Sequence, residues 1–462
     1  MQPKPDTHLL FKVFFRTVVF VFTCGLLMYL IPTLYFGVNV EFTGPRHDGY
    51  VELATMLVSG EGFRFESGGA PVMHRPPLYP ILLMPSALLP TGWQEVSVIA
   101  LNSVFAGATA IMLMVLALRF FGSRRVGYTA ILFYLISPWL YRLVSLPHTA
   151  LLQSTLYLAS SLLVLSMVFG NRHGDPLSAR RFRRVALMFG AVGGLLTLTH
   201  GVGFLVFGAT LGALMAYMAF SEVHRDISGR VSSLVLAALV AGCLAAPWVV
   251  RNAVVLPITV PVTTGASFNY FMGNVYWNIG GYEHDYEASA RQNALTAGGV
   301  EEPAESAMQF WGVMDPANEK QLAEAMRVHM AAHPLDVLKK SALSLSENFF
   351  PVTHLAYCQS HAGVSCQQHS LFSTLHRVGL SLYYFVLIGL AVAAVIRGRQ
   401  RWPAILMFAL GGLHIGPYLP LGQWAPHGIY GLSAVLLVTV FSAATCVRTP
   451  LPSRAAASRS MR

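Results

Sequence analysis

The charged residues with the best placement for chemistry lie between Glu41 and Pro80, directly after the first long apolar segment. Asp48 leads this group, because a carboxylate just outside a membrane span could act as a general base. The same residue could instead be the N-cap of a short helix, since Asp is a favoured cap that contributes about 1 kcal/mol. Both interpretations of Asp48 stay open on the residues alone.

Two arginines are candidates for binding an anion. Arg75 precedes Pro76-Pro77, which holds its backbone extended, and a guanidinium fixed at a membrane surface suits a phosphate. Arg251 follows Pro247-Trp248 at the end of a later apolar segment and would reach the same face. We expect the two side chains to converge as an anion clamp. The alternatives are general binding of lipid headgroups by Arg75 and interfacial anchoring beside Trp248 by Arg251.

Other polar residues near these three are supporting candidates. Glu52 stands one helical turn after Asp48, so the two carboxylates would line the same edge of a helix. Arg142 and His200 fall at tight connections between apolar segments and would share the depth of the two arginines. The supporting set is His47, Tyr50, Glu52, His74, Tyr79, Arg142, His200, Asn252 and Asn274.

The histidines and cysteines of the second half predict no catalytic metal. His329 and His333 are four residues apart, as on one helix face, yet a His-Pro pair at His333 is typical of a helix end. We therefore predict no metal site. Cys358 and Cys366 lie in one polar segment and could close a small loop as a disulfide in an oxidising compartment. A metal site is the alternative for this cysteine pair.

The composition indicates a polytopic membrane protein. Of 462 residues, 54% are hydrophobic and only 11% charged, and the mean hydropathy is +0.55. Apolar segments of about 20 residues can cross a bilayer as helices, and only helices and closed barrels satisfy their backbone groups in lipid. We predict an all-α bundle of about ten spans, at residues 17–36, 96–118, 127–146, 148–169, 185–199, 202–220, 232–250, 375–396, 403–420 and 428–447.

The net charge of +10 marks one face of the membrane rather than a nucleic-acid partner. When the predicted spans are threaded across a bilayer, most Lys and Arg residues fall on one side and most acids on the other. The positive-inside rule then places both termini in the cytoplasm. The sequence contains neither a Gly-rich dinucleotide fingerprint nor a P-loop.

Two long polar segments lie on the extracytoplasmic side in this threading. In the first polar segment, residues 48–59 predict an amphipathic helix that lies in the membrane interface and is ended by Gly60 and Gly62. Residues 78–89 predict an apolar segment that is too short to cross the membrane. The expected organisation is an N-terminal bundle at 1–250 with a first extracytoplasmic loop at 37–95, a cap at 251–370, C-terminal transmembrane helices at 371–447 and a basic cytoplasmic tail at 448–462.

These pieces occur in an order that resembles the GT-C superfamily of membrane glycosyltransferases. The shared pattern is an acid after the first span at Asp48, a turn at Ala54–Phe63 and the sequence RPPLYP at Arg75–Pro80. The sequence PWVVRN at Pro247–Asn252, followed later by Gly273-Asn274, resembles the bacterial branch. That branch is related to protein O-mannosyltransferases and to the aminoarabinose transferase of lipid A.

The resemblance implies a GT-C-like helix bundle that transfers a hexosyl or pentosyl group from a polyprenyl-phosphate donor. The acceptor would be an extracytoplasmic glycan, lipid or protein, and the transfer would invert the anomeric centre. Asp48 would be the catalytic base, and Arg75 and Arg251 would stabilise the phosphate leaving group. The resemblance also implies a bacterial inner membrane location, contact with membrane lipids, no nucleic-acid partner and no cofactor.

The chain departs from this family at four places. Gly49 stands where many relatives have a second acid, and Pro147-His148-Thr149 stands where many have an acid after the third span. His200 replaces an Arg near the fifth span, and Trp424–His427 replaces an aromatic-Arg-Tyr-Pro element. These departures weaken the case for a metal-dependent mechanism, and they leave the identity of the donor sugar undetermined.

A multi-pass transporter or lipid flippase is the alternative function. Transporters tend to place ionisable residues at mid-bilayer, on broken helices. The predicted spans 96–118 and 202–220 contain no ionisable residue, and the polar residues gather in the two extracytoplasmic segments. This distribution favours chemistry at the membrane surface over passage through the bundle.

Overall fold

The computed structural model describes residues 7–36, 49–170, 176–220, 227–256, 260–264, 266–271, 316–349, 371–396, 401–417 and 439–447. These residues form helices and connections, with no strand among them. Six of the described helices are long and apolar enough to cross a membrane. The predicted all-α polytopic class is confirmed, and the chain is an integral membrane protein.

The helices follow the apolar segments of the sequence closely, and a further helical stretch covers residues 439–446. In chain order they are α1 (Thr7–Phe36), α2 (Tyr50–Val58), α3 (Leu78–Ala87), α4 (Thr91–Phe121), α5 (Arg124–Leu135), α6 (Pro138–Val144), α7 (Ala150–Phe169), α8 (Ala179–Thr199), α9 (Gly201–Phe220), α10 (Ile227–Val255), α11 (Ala266–Phe271), α12 (Pro316–Ala332), α13 (Pro334–Phe349), α14 (Leu371–Ile396) and α15 (Arg401–Ile415).

Helix α4 lies at the centre of the N-terminal bundle, where it packs against α1, α5 and α7. Its contact with α7 includes a hydrogen bond of 2.9 Å between the hydroxyls of Thr109 and Thr155. Thr155 also donates to the backbone oxygen of Phe105. In lipid, such hydroxyl contacts and close packing stabilise helix pairs, because the bilayer supplies no hydrophobic driving force between helices.

Helices α8 and α10 make the most extensive contact of the bundle. A Cβ atom at Gly190 of α8 would lie only 2.2 Å from the backbone oxygen of Ala237 in α10. The missing side chain therefore lets the two backbones approach each other directly, as small residues do in membrane helix pairs. This close pair carries His200 at the end of α8 and Arg251 near the end of α10.

The prediction of one span at 127–146 is wrong as a continuous helix. Helix α5 ends at Leu135 and α6 begins at Pro138. Pro138 has no backbone N–H to continue the helix, and the residue before a proline is driven out of the helical conformation. Ser137 accordingly has φ −65° and ψ 120°. The segment forms two short helices instead, and both pack against α4.

Two arginines organise the end of the bundle where α4 and α7 terminate and α8 and α10 begin. Arg119 of α4 donates to the Ser166 hydroxyl and to the backbone oxygen of Gly170. Arg230 of α10 donates to the backbone oxygen of Leu177 at 3.0 Å. The opposite end, formed by residues 49–90 and the segments packed on them, is called the α2 face below.

Candidate functional site

The residue before helix α2 is a glycine that no other residue could replace without strain. Gly49 is the N-cap, with φ 68° in the left-handed region, where side chains other than glycine are disfavoured. A Cβ atom there would lie 2.2 Å from the ring of Phe65. The helix therefore starts after Gly49, two residues later than predicted, and Gly49 rather than Asp48 occupies the cap. The chain's departure from the family's second acid is consistent with this backbone and with the packed ring.

Tyr50 is the centre of a group of aromatic and basic side chains. The Tyr79 ring meets it edge to face, with centroids 5.3 Å apart, and the His148 ring meets it at a right angle at 6.4 Å. The Arg75 guanidinium carbon lies 5.1 Å from the Tyr50 ring centroid, which is a cation–π contact. These four residues are the Tyr50 cluster. Tyr50 follows Asp48 by two positions, so the cluster adjoins the predicted base along the chain.

A buried asparagine of α4 holds this cluster from behind. The Tyr79 hydroxyl donates to Asn102 Oδ1 at 3.0 Å. The amide nitrogen of Asn102 lies within hydrogen-bond distance of three backbone oxygens at the end of α6, those of Leu143, Val144 and Leu146. Asn102 is fully buried, and buried amides in apolar surroundings need such partners. The segment that leads to His148 is thereby fixed relative to α3 and α4.

Arg251 stabilises the loop that follows α2. Its guanidinium donates to the backbone oxygen of Val72 at 3.1 Å and to that of Phe63 at 3.3 Å. The same group lies over the rings of Trp248 at 4.8 Å and Phe63 at 5.6 Å. It also donates to Asn252 Oδ1 at 2.9 Å. Arg251 is thus a structural contact between α10 and the first loop in addition to being a candidate for anion binding.

Asn252 and Trp248 extend this arrangement to the segment after α10. The Asn252 amide donates to the backbone oxygens of Val260 and Val262, and the Trp248 indole N–H donates to Val262 at 2.7 Å. Asn252 is fully buried. The backbone of Thr264 donates to the oxygen of Met73. The PWVVRN sequence therefore joins both polar segments at the α2 face.

A cavity of about 490 Å³ opens beside these contacts. Its apolar wall reaches the outside of the bundle, since Ile81, Leu244 and Val255 are 48%, 39% and 44% exposed. Its lining also includes two arginines, Arg64 and Arg251, and no acid lines it among the residues that the structure describes. The cavity therefore combines an exposed apolar surface with two positively charged residues.

Arg64 is the cation of this cavity that sequence reasoning missed. Its side chain makes no hydrogen bond or ion pair with any residue in the described part of the chain, and its positive charge acts on Arg251. Two cations in the lining of one cavity, with no acid beside them in the described structure, favour the binding of an anion there. The signal in the sequence was weak, because Arg64 is one of several charged residues in the polar loop and stands beside no motif proline.

Arg75 lies at the Tyr50 cluster rather than among the residues that line the cavity. Pro77, two residues after Arg75, does line the cavity, so Arg75 is close to the cavity along the chain. The predicted clamp of Arg75 with Arg251 stays a prediction, and the second guanidinium in the cavity itself belongs to Arg64.

The remaining supporting candidates occupy different positions. His74 is buried, with its ring 5.6 Å from that of Phe65, and Glu52 is half-buried in the first turn of α2. His200 joins α8 to α9, and its Nδ1 accepts the backbone N–H of Val202 at 3.3 Å. The backbone of Arg142 belongs to α6. Its side chain lies outside the described structure, as do His47, Asp48, Asn274, Cys358 and Cys366 in full.

The second histidine group of the sequence is arranged around a tyrosine. The Tyr270 hydroxyl and His329 Nδ1 are 2.8 Å apart, and the rings of His329 and His333 are 4.8 Å apart. Burial raises the pKa of Tyr270 to about 12, so its hydroxyl stays protonated at neutral pH. Helix α12 ends just before His333, as predicted. In the described ranges, no three or more His, Cys, Asp or Glu side chains form a group that could hold a metal.

Comparison with known proteins gives a distant likeness. No protein-family model matches the chain, and no curated protein matches it significantly. Two solved structures are similar, both of ArnT from Cupriavidus metallidurans, each at 15% identity. One is bound to undecaprenyl phosphate, with a TM-score of 0.42 over 93% of this chain and 76% of that one. The other is the apo state, with a TM-score of 0.37 over 86% and 72%. ArnT is the lipid A aminoarabinose transferase, a GT-C glycosyltransferase.

Proposed function

We propose that this protein is a membrane glycosyltransferase that moves a sugar from a polyprenyl-phosphate donor to an extracytoplasmic acceptor. The observation that carries the proposal is the cavity whose lining combines Arg64 and Arg251 with apolar side chains. A lipid-linked phosphate has the same two parts, an apolar chain and an anionic head. The apolar side chains exposed at Ile81, Leu244 and Val255 suit the lipid chain, and the guanidinium groups suit phosphate oxygens.

In this proposal the phosphate lies between the two guanidinium groups and the sugar extends toward the Tyr50 cluster. Arg251 is held in place by the backbone oxygens of Val72 and Phe63, so its charge is oriented before the donor binds. Arg64 has no such partner in the described structure, and its charge is available to the anion. Positive groups fixed where negative charge develops lower the barrier of a reaction without further reorganisation.

Asp48 is the proposed general base. It removes the proton from the acceptor hydroxyl as that oxygen attacks the anomeric carbon, and the bond from the anomeric carbon to the phosphate oxygen breaks. Polyprenyl phosphate leaves with the bonding electrons, and a single displacement of this kind inverts the anomeric centre. The carboxylate also stabilises the positive charge that develops on the sugar in the transition state. Arg75, which lies on the Tyr50 ring, adds a third positive charge along the same path.

Two observations support this use of Asp48. The N-cap of α2 is Gly49, whose backbone oxygen accepts the N–H of Leu53 at 3.0 Å. The helix therefore does not require Asp48 as its cap, and the alternative interpretation of this residue loses its main argument. The Tyr50 cluster, which begins two residues later, supplies aromatic surface and hydrogen-bonding groups of the kind that ligand sites combine.

The proposal is tested by following a radiolabelled sugar. The purified protein is added to membranes of the cells that naturally make it, because these membranes contain the natural acceptor. Polyprenyl-phosphate mannose or aminoarabinose is supplied as the donor. Transfer appears as label in a new product and as release of polyprenyl phosphate. Movement of the intact donor across vesicle membranes without cleavage would instead identify a flippase and reject the transferase.

A further inference from the structure

Helix α8 begins with a group of exposed arginines that the proposed reaction does not use. This α8 arginine cluster consists of Arg180, Arg181, Arg183 and Arg184. None of the four side chains makes a hydrogen bond or ion pair with a residue that the structure describes. Every acid in the described part of the chain belongs to residues 49–95 or to α12 and α13. The described residues of α8 and of its neighbours α7, α9 and α10 therefore supply no negative charge to the cluster.

The position of the cluster is electrostatically unfavourable for the protein alone. A helix N-terminus carries a partial positive charge, and like charges three or four residues apart on a helix repel each other. Arg184 stands four residues after Arg180 and three after Arg181. The first turn of α8 contains no acid, and the side chain of Ser178, its N-cap, makes no hydrogen bond to the helix. An anion at this end would relieve the repulsion between the arginines.

Contacts with α10 hold the start of α8 in place. Phe182 is fully buried, and the Arg230 guanidinium of α10 lies over its ring, 4.8 Å from the centroid. Arg230 also donates to the backbone oxygen of Leu177 at 3.0 Å. Because Phe182 lies on the buried side of the helix, the arginines on both sides of it in the sequence lie on the outward side. The cluster is therefore part of the packed pair of α8 and α10.

The outward side of α8 changes from charged to apolar within two turns. Met188 stands seven residues after Arg181 and four after Arg184, so the three side chains lie along one stripe of the helix. Met188 is 58% exposed, and Ala191 and Leu195 continue the stripe as half-buried apolar residues. Helix α8 is long and apolar enough to cross a membrane. A phospholipid has the same order of parts, a charged headgroup followed by acyl chains.

We propose that the α8 arginine cluster binds the headgroup of an anionic phospholipid, with an acyl chain lying along Met188. The lipid phosphate accepts hydrogen bonds from Arg181 and Arg184, since a guanidinium presents paired donors that match phosphate oxygens. Basic groups beside transmembrane helices bind anionic headgroups in this way. The positive-inside rule assigns this end of the bundle to the cytoplasm, so the lipid belongs to the cytoplasmic leaflet.

This lipid site is separate from the cavity of Arg64 and Arg251. Leu198, near the other end of α8, lines that cavity. It stands fourteen residues after Arg184, which corresponds to about 21 Å of helix. One phosphate cannot reach both places, and the inference holds or fails independently of the proposed function.

The experiment titrates the detergent-solubilised protein with phosphatidylglycerol and measures the dissociation constant of the bound lipid by native mass spectrometry. Phosphatidylcholine with the same acyl chains is the comparison without net charge, and glycerophosphoglycerol is the anionic headgroup without chains. We expect phosphatidylglycerol to bind at least about tenfold more tightly than phosphatidylcholine, since each arginine beside an anionic headgroup contributes about a fivefold factor. Glycerophosphoglycerol should not displace it.

A pair of double variants locates the site. Arg181→Gln with Arg184→Gln should raise the dissociation constant of phosphatidylglycerol about tenfold or more, as for a lost hydrogen bond to a charged group. The unfolding temperature without lipid should not fall, because like charges are removed. Arg124→Gln with Arg125→Gln is the matched control, since it removes two exposed arginines from the start of α5, where the Ser123 side chain caps the helix. The control should change the affinity by less than about threefold, because salt screens charges that do not touch the lipid.

Three results would overturn the inference. If the α8 double variant binds phosphatidylglycerol like the wild type, the cluster is not the lipid site. If the α5 double variant loses as much affinity, the effect belongs to the general surface charge. Equal binding of phosphatidylglycerol and phosphatidylcholine, or displacement by glycerophosphoglycerol, would show that the cluster does not select an anionic lipid. Replacement of Arg181 and Arg184 by lysine keeps the charges and should retain part of the affinity.

Discussion

Replacement of Arg64 by Gln should weaken phosphate binding without weakening the fold. The Arg64 side chain makes no hydrogen bond or ion pair in the described structure, and its positive charge repels that of Arg251. Its removal should therefore leave the free energy of unfolding within about 0.5 kcal/mol of the wild-type value, as for other substitutions away from packed contacts. Any change should be toward higher stability, because one of two like charges is removed.

The expected loss of affinity follows from the bond that Arg64 would make. A hydrogen bond to a charged group contributes about 1.5–3 kcal/mol, which corresponds to a dissociation constant roughly 10-fold to 150-fold higher. Arg64→Lys keeps the charge but loses the planar pair of donors, so its affinity should fall between those of the wild type and Arg64→Gln. The assay is titration of detergent-solubilised protein with polyprenyl phosphate, with thermal unfolding measured in parallel.

Arg251→Gln provides the contrast. It should reduce both affinity and stability, because the Arg251 guanidinium also holds the backbone oxygens of Val72 and Phe63. Loss of these bonds should cost about 1–3 kcal/mol of unfolding free energy. The reasoning is refuted if Arg64→Gln binds polyprenyl phosphate as tightly as the wild type, or if it unfolds as readily as Arg251→Gln.

Two further substitutions test how the site is positioned. Gly49→Ala should destabilise the protein by about 1–3 kcal/mol, because its φ of 68° is left-handed and an aromatic ring fills the space of the new methyl group. Gly60→Ala, at φ 79° but with open space around it, should cost less in thermal unfolding, and equal costs would show that the ring is not the cause. Asn102→Ala should lower stability by about 1–3 kcal/mol, because the buried Tyr79 hydroxyl loses its acceptor and the backbone oxygens of Leu143, Val144 and Leu146 lose a side-chain donor. Ser103→Ala should be nearly neutral, since its hydroxyl bonds only within its own helix, and a similar loss for both variants would contradict the role given to Asn102.

The sequence predicted the parts of the fold that depend on apolar length. The long spans α1, α4, α7, α8, α9 and α10 follow directly from runs of apolar residues, and the short helix α2 follows from its amphipathic pattern and the glycines after it. The break between α5 and α6 was missed, although Pro138 marks it, because the hydropathy is continuous across the proline.

The site was predicted less completely because it depends on contacts between distant segments. Arg251 donates to Phe63 across 188 positions of the chain, and no local pattern shows which loop arginine lies in the same cavity. Arg75 was favoured because its prolines fix the backbone, whereas Arg64 lines the cavity through its place in the loop. Asn102 was overlooked inside an apolar run, and His148 was noted only as a departure from the family pattern.

The most direct test of the proposed reaction is a single-turnover comparison of wild type and Asp48→Asn with the same labelled polyprenyl-phosphate donor and acceptor membranes. Donor binding is measured first for both proteins, because loss of a base should leave affinity for the donor intact. We predict that Asp48→Asn binds the donor like the wild type and transfers its sugar at least about a hundredfold more slowly. Transfer at the wild-type rate by Asp48→Asn would contradict the assignment of Asp48 as the base.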